Sequence, residues 1–416
     1  MIILYGELFL SDDILDNIFE NAVKGNSLIK TRKILTIDYI PHKLQFRDEE
    51  TTTIAQTLSV SLKGARPSNL LLFGKPGTGK TAVVKNVINK FKEKSIELGV
   101  EVIVVFINAK IANTAYKVLY EIAEEMNINK TDKKNQVYFT GLSLGEATNR
   151  ILDFIKKRQL HVIFVIDEID SLVDKNGDDI LYNFTRANEQ FQEVGFISLI
   201  GISNSLTFKD KLDPRVRSSL SEEEIVFNPY KIHQLQKILS ERVKLAFHDD
   251  VVTEGTINLC AAIAGKDNGD ARKAIDLLRV AAEIAEIDKD TKVYEKYIRL
   301  AQHKIEKDTN FEIIKNSTTH TKLVLLAIAK SKNGNTGEVY EIYSSLCKHI
   351  DNESLTQRRI TQIINELDQL GLISTNIINQ GRYGRSQKIK ITIPLSTLKE
   401  ALFDDHLLST ITTTID

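Results

Sequence analysis

The sequence predicts an α/β fold built on a parallel sheet, followed by a small helical domain and a winged-helix domain. Three observations carry that expectation. Short apolar runs at 70–73, 102–107, 162–166 and 196–202 alternate with helix-length amphipathic stretches, the pattern of strands buried on both faces by crossover helices. Residues 229–305 then carry helical spacing alone, and the stretch after Asp308 reads as helices followed by a hairpin. The expected domains are therefore 1–228, 229–308 and 309–416.

Length and composition agree with this division. A chain of 416 residues suggests two or three domains at about 150 residues each. With 42% hydrophobic and 27% charged residues, a disordered or fibrous chain is excluded. No apolar run approaches the roughly 18 residues needed to cross a bilayer, so no membrane partner is expected. Asp12 and Asp13 come early and no basic leader precedes them, so the expected location is cytoplasmic. Lys plus Arg number 55 against 56 acidic residues, and any basic surface must be local. Cys260 and Cys347 lie in apolar helical patterns without zinc-ligand spacing, and are expected in cores.

The elements follow in order. Residues 1–35 mix apolar and acidic helical text and lead to Asp38-Tyr39-Ile40-Pro41-His42-Lys43-Leu44. Pro41 imposes extended backbone there, before a helix starting near Arg47. The strand 70–73 runs into Gly74-Lys75-Pro76-Gly77-Thr78-Gly79-Lys80-Thr81, a full GxxxxGK[ST] P-loop, and then a helix over 82–91. Glycines let successive backbone N–H groups wrap a phosphate chain at a helix N-terminus, Lys80 suits the terminal phosphates, and Thr81 suits Mg²⁺. The strand at 161–166 ends in Asp167-Glu168, one carboxylate for the Mg²⁺ shell and one to polarise water. The strand 196–202 ends in Ser203-Asn204, a neutral donor and acceptor beside those acids if the sheet is parallel.

In the helical domain, Ile232, Leu235, Ile238 and Leu239 share one face. A later run over 271–284 opens with Gly269-Asp270-Ala271-Arg272-Lys273, where an arginine can reach back over a nucleotide. Beyond a polar connector at 315–321, helices are expected at 320–331, 337–350 and 355–370, a strand at 372–378, a turn at 380–384 and a strand at 387–393. In helix-turn-helix modules the second helix of the pair enters the major groove. Here it begins Thr356-Gln357-Arg358-Arg359, with Thr361, Gln362 and Asn365 on later turns. Ile360, Ile363, Ile364, Leu367 and Leu370 form the opposite, apolar face. No acidic residue occurs from Gln369 to Lys399, while Arg382, Arg385, Lys388 and Lys390 crowd the hairpin around Tyr383, a tip suited to a minor groove or its phosphates.

Taken together, these motifs resemble the AAA+ ATPases, and more narrowly the origin-recognition and cell-division-control replication initiators. Residues 38–44 and Arg47-Asp48-Glu49-Glu50 look like the family's Y-x-P-x-x-L…R-E-x-E lead-in, with Asp48 in place of a glutamate. The P-loop, Asp167-Glu168, Ser203-Asn204 and Gly269-Asp270-Ala271-Arg272 are similar to Walker A, Walker B, sensor 1 and sensor 2. Residues 212–219 resemble the segment after sensor 1, but read Ser218-Ser219 where ring-forming relatives have Ser-Arg. The family's extra DNA-gripping helical element is looked for at 136–144, downstream of Lys130, Lys133 and Lys134.

The resemblance implies ATP/ADP and Mg²⁺ as cofactors. Nucleotide contacts are implied for Tyr39, Ile40, Arg47, Gly74, Lys75, Pro76, Gly77, Thr78, Gly79, Lys80, Thr81, Ala82, Tyr230 and Arg272, and Mg²⁺ contacts for Thr81 and Asp167. The implied catalytic set is Glu168, Asp167, Lys80, Asn204 and Arg272. DNA contacts fall on Thr356, Gln357, Arg358, Arg359, Gln362, Arg382, Tyr383 and Arg385. The implied function is an archaeal-type, ATP-dependent replication initiator. It would bind origin double-stranded DNA through its winged helix and AAA+ domain, help recruit the minichromosome-maintenance helicase, sit with other initiator paralogues on DNA, and hydrolyse ATP slowly as a switch. The alternative is a signalling or transcription-regulating P-loop ATPase whose winged helix is an interaction module.

Overall fold

The computed structural model describes residues 27–138, 141–191, 195–379, 385–403, 405, 407 and 408. The helical text expected before Ser27 and the turn at 380–384, with Arg382 and Tyr383, lies outside the described residues. The chain divides into two compact units, residues 1–298 and 299–416.

In the first unit, α1 (Asp48–Ser59) precedes β1 (Leu70–Gly74) and α2 (Lys80–Glu97). Then come β2 (Ile103–Asn108), α3 (Ala115–Glu125), the single turn α4 (Ile128–Thr131), α5 (Leu144–Arg158) and β3 (His161–Asp167). α6 (Ile169–Asn176), α7 (Asp179–Ala187), β4 (Phe196–Ser203), α8 (Pro214–Leu220) and β5 (Glu223–Phe227) complete the sheet domain. All strand pairs are parallel, in the order β2-β3-β4-β1-β5. The register sets Asn108 beside Asp167 and Phe73 beside Ser203. The C-terminal ends of β1 to β4 therefore share one edge, where open α/β sheets place their ligands.

The four expected strands lie side by side as β2-β3-β4-β1, with β2 at one edge, and β1 and β4 are buried at every position. β5 was not anticipated. Ile225 and Phe227 are buried while Val226 is 51% exposed, so this edge strand buries one face, and its short apolar run Ile225-Val226-Phe227 follows three glutamates. The stretch looked for as an extra helix is not helical at 136–138 or 141–143. Asn129 Oδ1 accepts from Val137 N–H and Arg150 donates to the Gln136 carbonyl, which holds that backbone away from helical pairing.

The helical part comprises α9 (Ile232–Ala246), α10 (Glu254–Lys266), α11 (Ala271–Ile287) and the start of α12 (Glu295–Lys315). α11 begins where Asp270 caps it, its carboxylate accepting from Arg272 and Lys273 N–H, after Gly269 at φ +65°. Cys260 is fully buried on α10.

In the second unit, α13 (Thr319–Lys330), α14 (Thr336–His349) and α15 (Gln357–Gln369) precede the antiparallel pair β6 (Ile373–Asn379) and β7 (Arg385–Ile391). α16 (Leu395–Phe403), which the sequence reading did not anticipate, packs Leu398, Ala401 and Leu402 into the same core as Ile360, Ile363, Ile364, Leu367 and Cys347. Leu370 departs from its expected place. As the C-cap of α15 it is past the buried stripe and is 52% exposed.

Candidate functional site

The P-loop leaves β1 and folds back as α2 starts, which requires left-handed backbone at Gly77 (φ +74°) and Gly79 (φ +94°). A Cβ on Gly77 would lie 1.7 Å from Asp270 Oδ1, and one on Gly79 would lie 2.8 Å from the Tyr230 hydroxyl. Ala271 N–H also donates to the Gly77 carbonyl at 3.2 Å. The loop thus touches the first turn of α11 directly, and Lys75 donates to Asn268 Oδ1 just upstream of it.

Lys80 is 5% exposed. Its ammonium donates to the carbonyls of Gly74 (2.6 Å) and Lys75 (3.0 Å) and to Asn204 Oδ1 (2.9 Å). Burial pushes its pKa down to about 8; Arg272 adds to the shift, and Asp167 opposes it. Thr81 Oγ1 donates to Asp167 Oδ2 at 2.9 Å, and Glu168 N–H donates to Asp167 Oδ1 at 3.0 Å. Glu168 itself has φ +53° at the start of α6, an uncommon conformation for a residue with a side chain. Asn204 N–H donates weakly to Asp170 Oδ1 at 3.4 Å.

Lys80, Thr81, Asp167, Glu168 and Asn204 line a polar cleft with Pro76, Gly77, Gly79, Asn108 and Arg272. A second, more apolar cleft shares Gly77, Gly79, Thr81 and Arg272 with it. Its walls are Tyr39, Ile40 and Pro41 from the lead-in, Ala82 and Lys85 from α2, and Tyr230, Ile238, Glu241, Arg242 and Ile275 from the helical part. A polar slot opening into an apolar one fits a phosphate chain joined to a nucleoside.

Several expected contact residues sit outside both clefts. Gly74, Lys75 and Thr78 form the loop's underside, where Thr78 Oγ1 donates to the Lys75 carbonyl at 2.8 Å. Arg47 is 5% exposed beneath the loop. Its guanidinium donates to the Thr78 and Asn228 carbonyls, to the Tyr230 hydroxyl and to Glu50, and lies over the Tyr230 ring at 4.3 Å. Tyr230 is likewise buried, and burial pushes its phenol above the ordinary value.

Arg242 and Asn108 are functional candidates that sequence reading missed. Arg242 donates to the carbonyls of Ile34 (2.8 Å) and Tyr39 (3.2 Å) and covers the Tyr39 ring at 4.5 Å. It clasps the lead-in against α9, and burial pushes its guanidinium below the usual range. Its signal was faint: an arginine following Leu239 on a helix face otherwise read as apolar. Asn108 had a signal, a polar residue closing the strand next to Asp167, visible once the register is known.

In the second unit, Thr356 caps α15 and accepts from Arg359 N–H at 3.4 Å. Gln357, Arg358, Arg359 and Gln362 are exposed on the side away from the core. Arg359 donates to Gln362 Oε1 at 3.0 Å and lies 3.9 Å from Glu366. Arg385 opens β7 opposite Asn379. Lys388 and Lys390 are exposed on either side of buried Ile389.

Comparison with known proteins follows the same division. Residues 64–205 match a model of the AAA domain, residues 236–303 the Cdc6 AAA+ ATPase-type lid domain, and residues 312–401 the CDC6 C-terminal winged helix domain. The ORC1-type DNA replication protein of Thermococcus onnurineus is 44% identical over 97% of this chain and 98% of its own. That of Pyrococcus horikoshii is 45% identical over 91% of each. The solved structure of the Aeropyrum pernix ORC1 protein in complex with DNA superposes with a TM-score of 0.82 at 38% identity, covering 93% of this chain and all of that one. The Aeropyrum pernix ORC2 protein, 20% identical over 93% of this chain and all of its own with a TM-score of 0.57, shares the fold. Likeness of this extent, over a sheet, a lid and a winged helix in the same order, makes the chain a member of the ORC1-type family of DNA replication proteins, built on the AAA+ fold.

Proposed function

We propose that this protein binds origin double-stranded DNA under the control of its bound nucleotide and helps bring the replicative minichromosome-maintenance helicase there. It acts in the cytoplasm, beside other initiator paralogues on the DNA. The observation that carries the reading is the meeting of Lys80, Thr81, Asp167, Asn204 and Arg272 in one cleft. The relative solved in complex with DNA supports DNA as partner.

The residues present fit Mg²⁺ with ATP or ADP. Left-handed backbone at Gly77 and Gly79 curls the loop as a phosphate-wrapping turn requires, and the Thr81 hydroxyl beside the Asp167 carboxylate is the hard-oxygen set that Mg²⁺ takes. When bound, ATP supplies the terminal phosphoanhydride bond that hydrolysis breaks. Lys80 and Arg272 offset phosphate charge from the loop and the lid, while Thr81 and Asp167 hold Mg²⁺. Glu168 takes the proton of the attacking water and Asn204 orients that water. Tyr39, Ile40, Ala82 and Tyr230 flank the base, and Arg47 with Gly74, Lys75, Pro76 and Thr78 keeps the loop's shape. Turnover is slow and switch-like: Arg272 lines the polar cleft, while Arg215 and Arg217 lie outside it in exposed ion pairs with Asp213 and Asp210.

Thr356, Gln357, Arg358, Arg359 and Gln362 read the major groove, and Arg382, Tyr383 and Arg385 hold the neighbouring minor groove or its phosphates. Glu168→Gln tests the site. Single-turnover hydrolysis should fall about 10²- to 10⁴-fold with nucleotide affinity kept within a few fold. Unchanged turnover, or affinity lost along with it, removes Glu168 from that role.

A further inference from the structure

Residues 350–356 connect α14 to α15, a longer link than the 3–4 residues or so of a tight helix-turn-helix. Asp351, Glu353 and Ser354 in it are exposed. Left alone, such a link would let the first turn of α15 wander. It is tied down at Leu355, the residue before the Thr356 cap. The Leu355 N–H donates to the Tyr343 hydroxyl at 3.1 Å, and the Leu355 carbonyl accepts from the Tyr340 hydroxyl at 3.3 Å. The two tyrosines lie three residues apart on α14 and so share a face. The Tyr343 hydroxyl is bonded in turn to His320 Nδ1 of α13 at 2.8 Å.

Tyr343 is fully buried, and burial holds its phenol far above the ordinary range, so it stays a neutral hydroxyl. A buried ring that only filled space would need no hydroxyl, since phenylalanine does so without a polar atom to satisfy. The 3.3 Å bond is long for O–H···O, whereas the 2.8 and 3.1 Å contacts are well formed, so Tyr343 carries more of the tie than Tyr340. Leu355 and Ile360, at the positions of a hydrophobic staple, belong to the same core.

We propose that Tyr343, supported by Tyr340, is a positioning residue for duplex recognition: its hydroxyl fixes where Thr356 to Arg359 meet the DNA. The inference rests on α15 as the duplex-reading helix. Base-edge contacts demand side chains held to a fraction of an ångström, while phosphate contacts carry no sequence information. Losing the tie therefore costs selectivity before it costs total affinity.

The test uses the full chain, its Tyr343→Phe and Tyr340→Phe variants, a duplex selected by the wild type from a randomised library, and a scrambled duplex. Affinities are measured across a salt series, and amide exchange is followed without DNA. Tyr343→Phe should lower the selected-to-scrambled affinity ratio about tenfold, the effect of losing one ordinary hydrogen bond's worth of discrimination. Scrambled-duplex affinity and salt slope should hold, amides 355–359 should exchange about tenfold faster, and those of 363–367 should not change. Tyr340→Phe should act the same way, about twofold. A parallel loss on both duplexes, an unchanged ratio, or faster exchange throughout the domain overturns the inference alone. A wild type without any preferred duplex overturns the reading of α15 and this inference with it.

Discussion

Lys80 shows what the site costs the fold. A lysine lowered from 10.5 to about 8 by burial corresponds to about 3 kcal/mol against the charged form. Between those values the unfolded chain binds more protons than the folded one, so stability rises with pH there. Below about pH 8 the full cost of the buried ammonium is present. Lys80→Met removes it but strands the Asn204 acceptor and two carbonyls. The variant should be more stable than the wild type at pH 7 by roughly 1–3 kcal/mol, and the gap should shrink toward pH 10. Urea melts of both chains across that range check it, and a gap that widens with pH contradicts the account. Lys80, Thr81 and Asp167 were legible because each belongs to a contiguous motif whose chemistry is set by neighbours in sequence. Arg242 was not, because it acts on the carbonyls of Ile34 and Tyr39, about two hundred positions away. Arg242→Met should weaken nucleotide binding about tenfold, since it loosens the lead-in from α9 and leaves two part-buried carbonyls without that donor. Titration with a fluorescent ATP analogue measures this, and unaltered affinity removes the clasp from the site.

Among elements, α11 and the P-loop meet at the Asp270 carboxylate and at the Ala271 N–H, which donates to the Gly77 carbonyl. Asp270 caps the helix and packs on Gly77, whose own backbone has φ +74°. Gly77→Ala should lose about 2 kcal/mol or more through left-handed strain and the clash with Asp270. Asp270→Ala alone should lose about 1 kcal/mol as a missing cap. The double variant should be less destabilised than the sum, a coupling that thermal melts in a double-mutant cycle would measure. Strict additivity would mean that loop and helix are independent. β1, β3 and β4 could be read because both faces are covered and their apolar runs are unbroken, and the edge strand β2 because Ile103 to Ile107 are all apolar. β5 could not, since it opens with Glu223 and Glu224 and only Ile225-Val226-Phe227 follow as an apolar run, too short to show a strand period. α16 was hidden for another reason: Leu398, Ala401 and Leu402 make only a short stripe after a strand, too brief to carry a helical period by itself.

At the scale of the whole molecule, the order of sheet, lid and winged helix could be read from changes in hydrophobic period and from four short motifs. What closes the nucleotide cleft between sheet and lid could be read only in part: Tyr39, Ile40, Ala82 and Arg272 were named as contacts, but Ile238, Glu241 and Arg242 of α9, which line it too, were not. No helix among the described residues is long and apolar enough to cross a membrane. Bound nucleotide should raise the melting temperature in proportion to the logarithm of its concentration. It should also alter the grip on DNA if the two activities belong to one switch.

The most direct test of that claim is binding of a library-selected duplex by the wild type and Arg358→Ala, with Mg²⁺ and either ATP or ADP, across a salt series. The account predicts selective affinities that differ between the nucleotides by about tenfold. It also predicts that Arg358→Ala loses selectivity, with the discrimination at its base falling by about 1–3 kcal/mol. Equal affinity with ATP and ADP, or selectivity that survives Arg358→Ala, would contradict it.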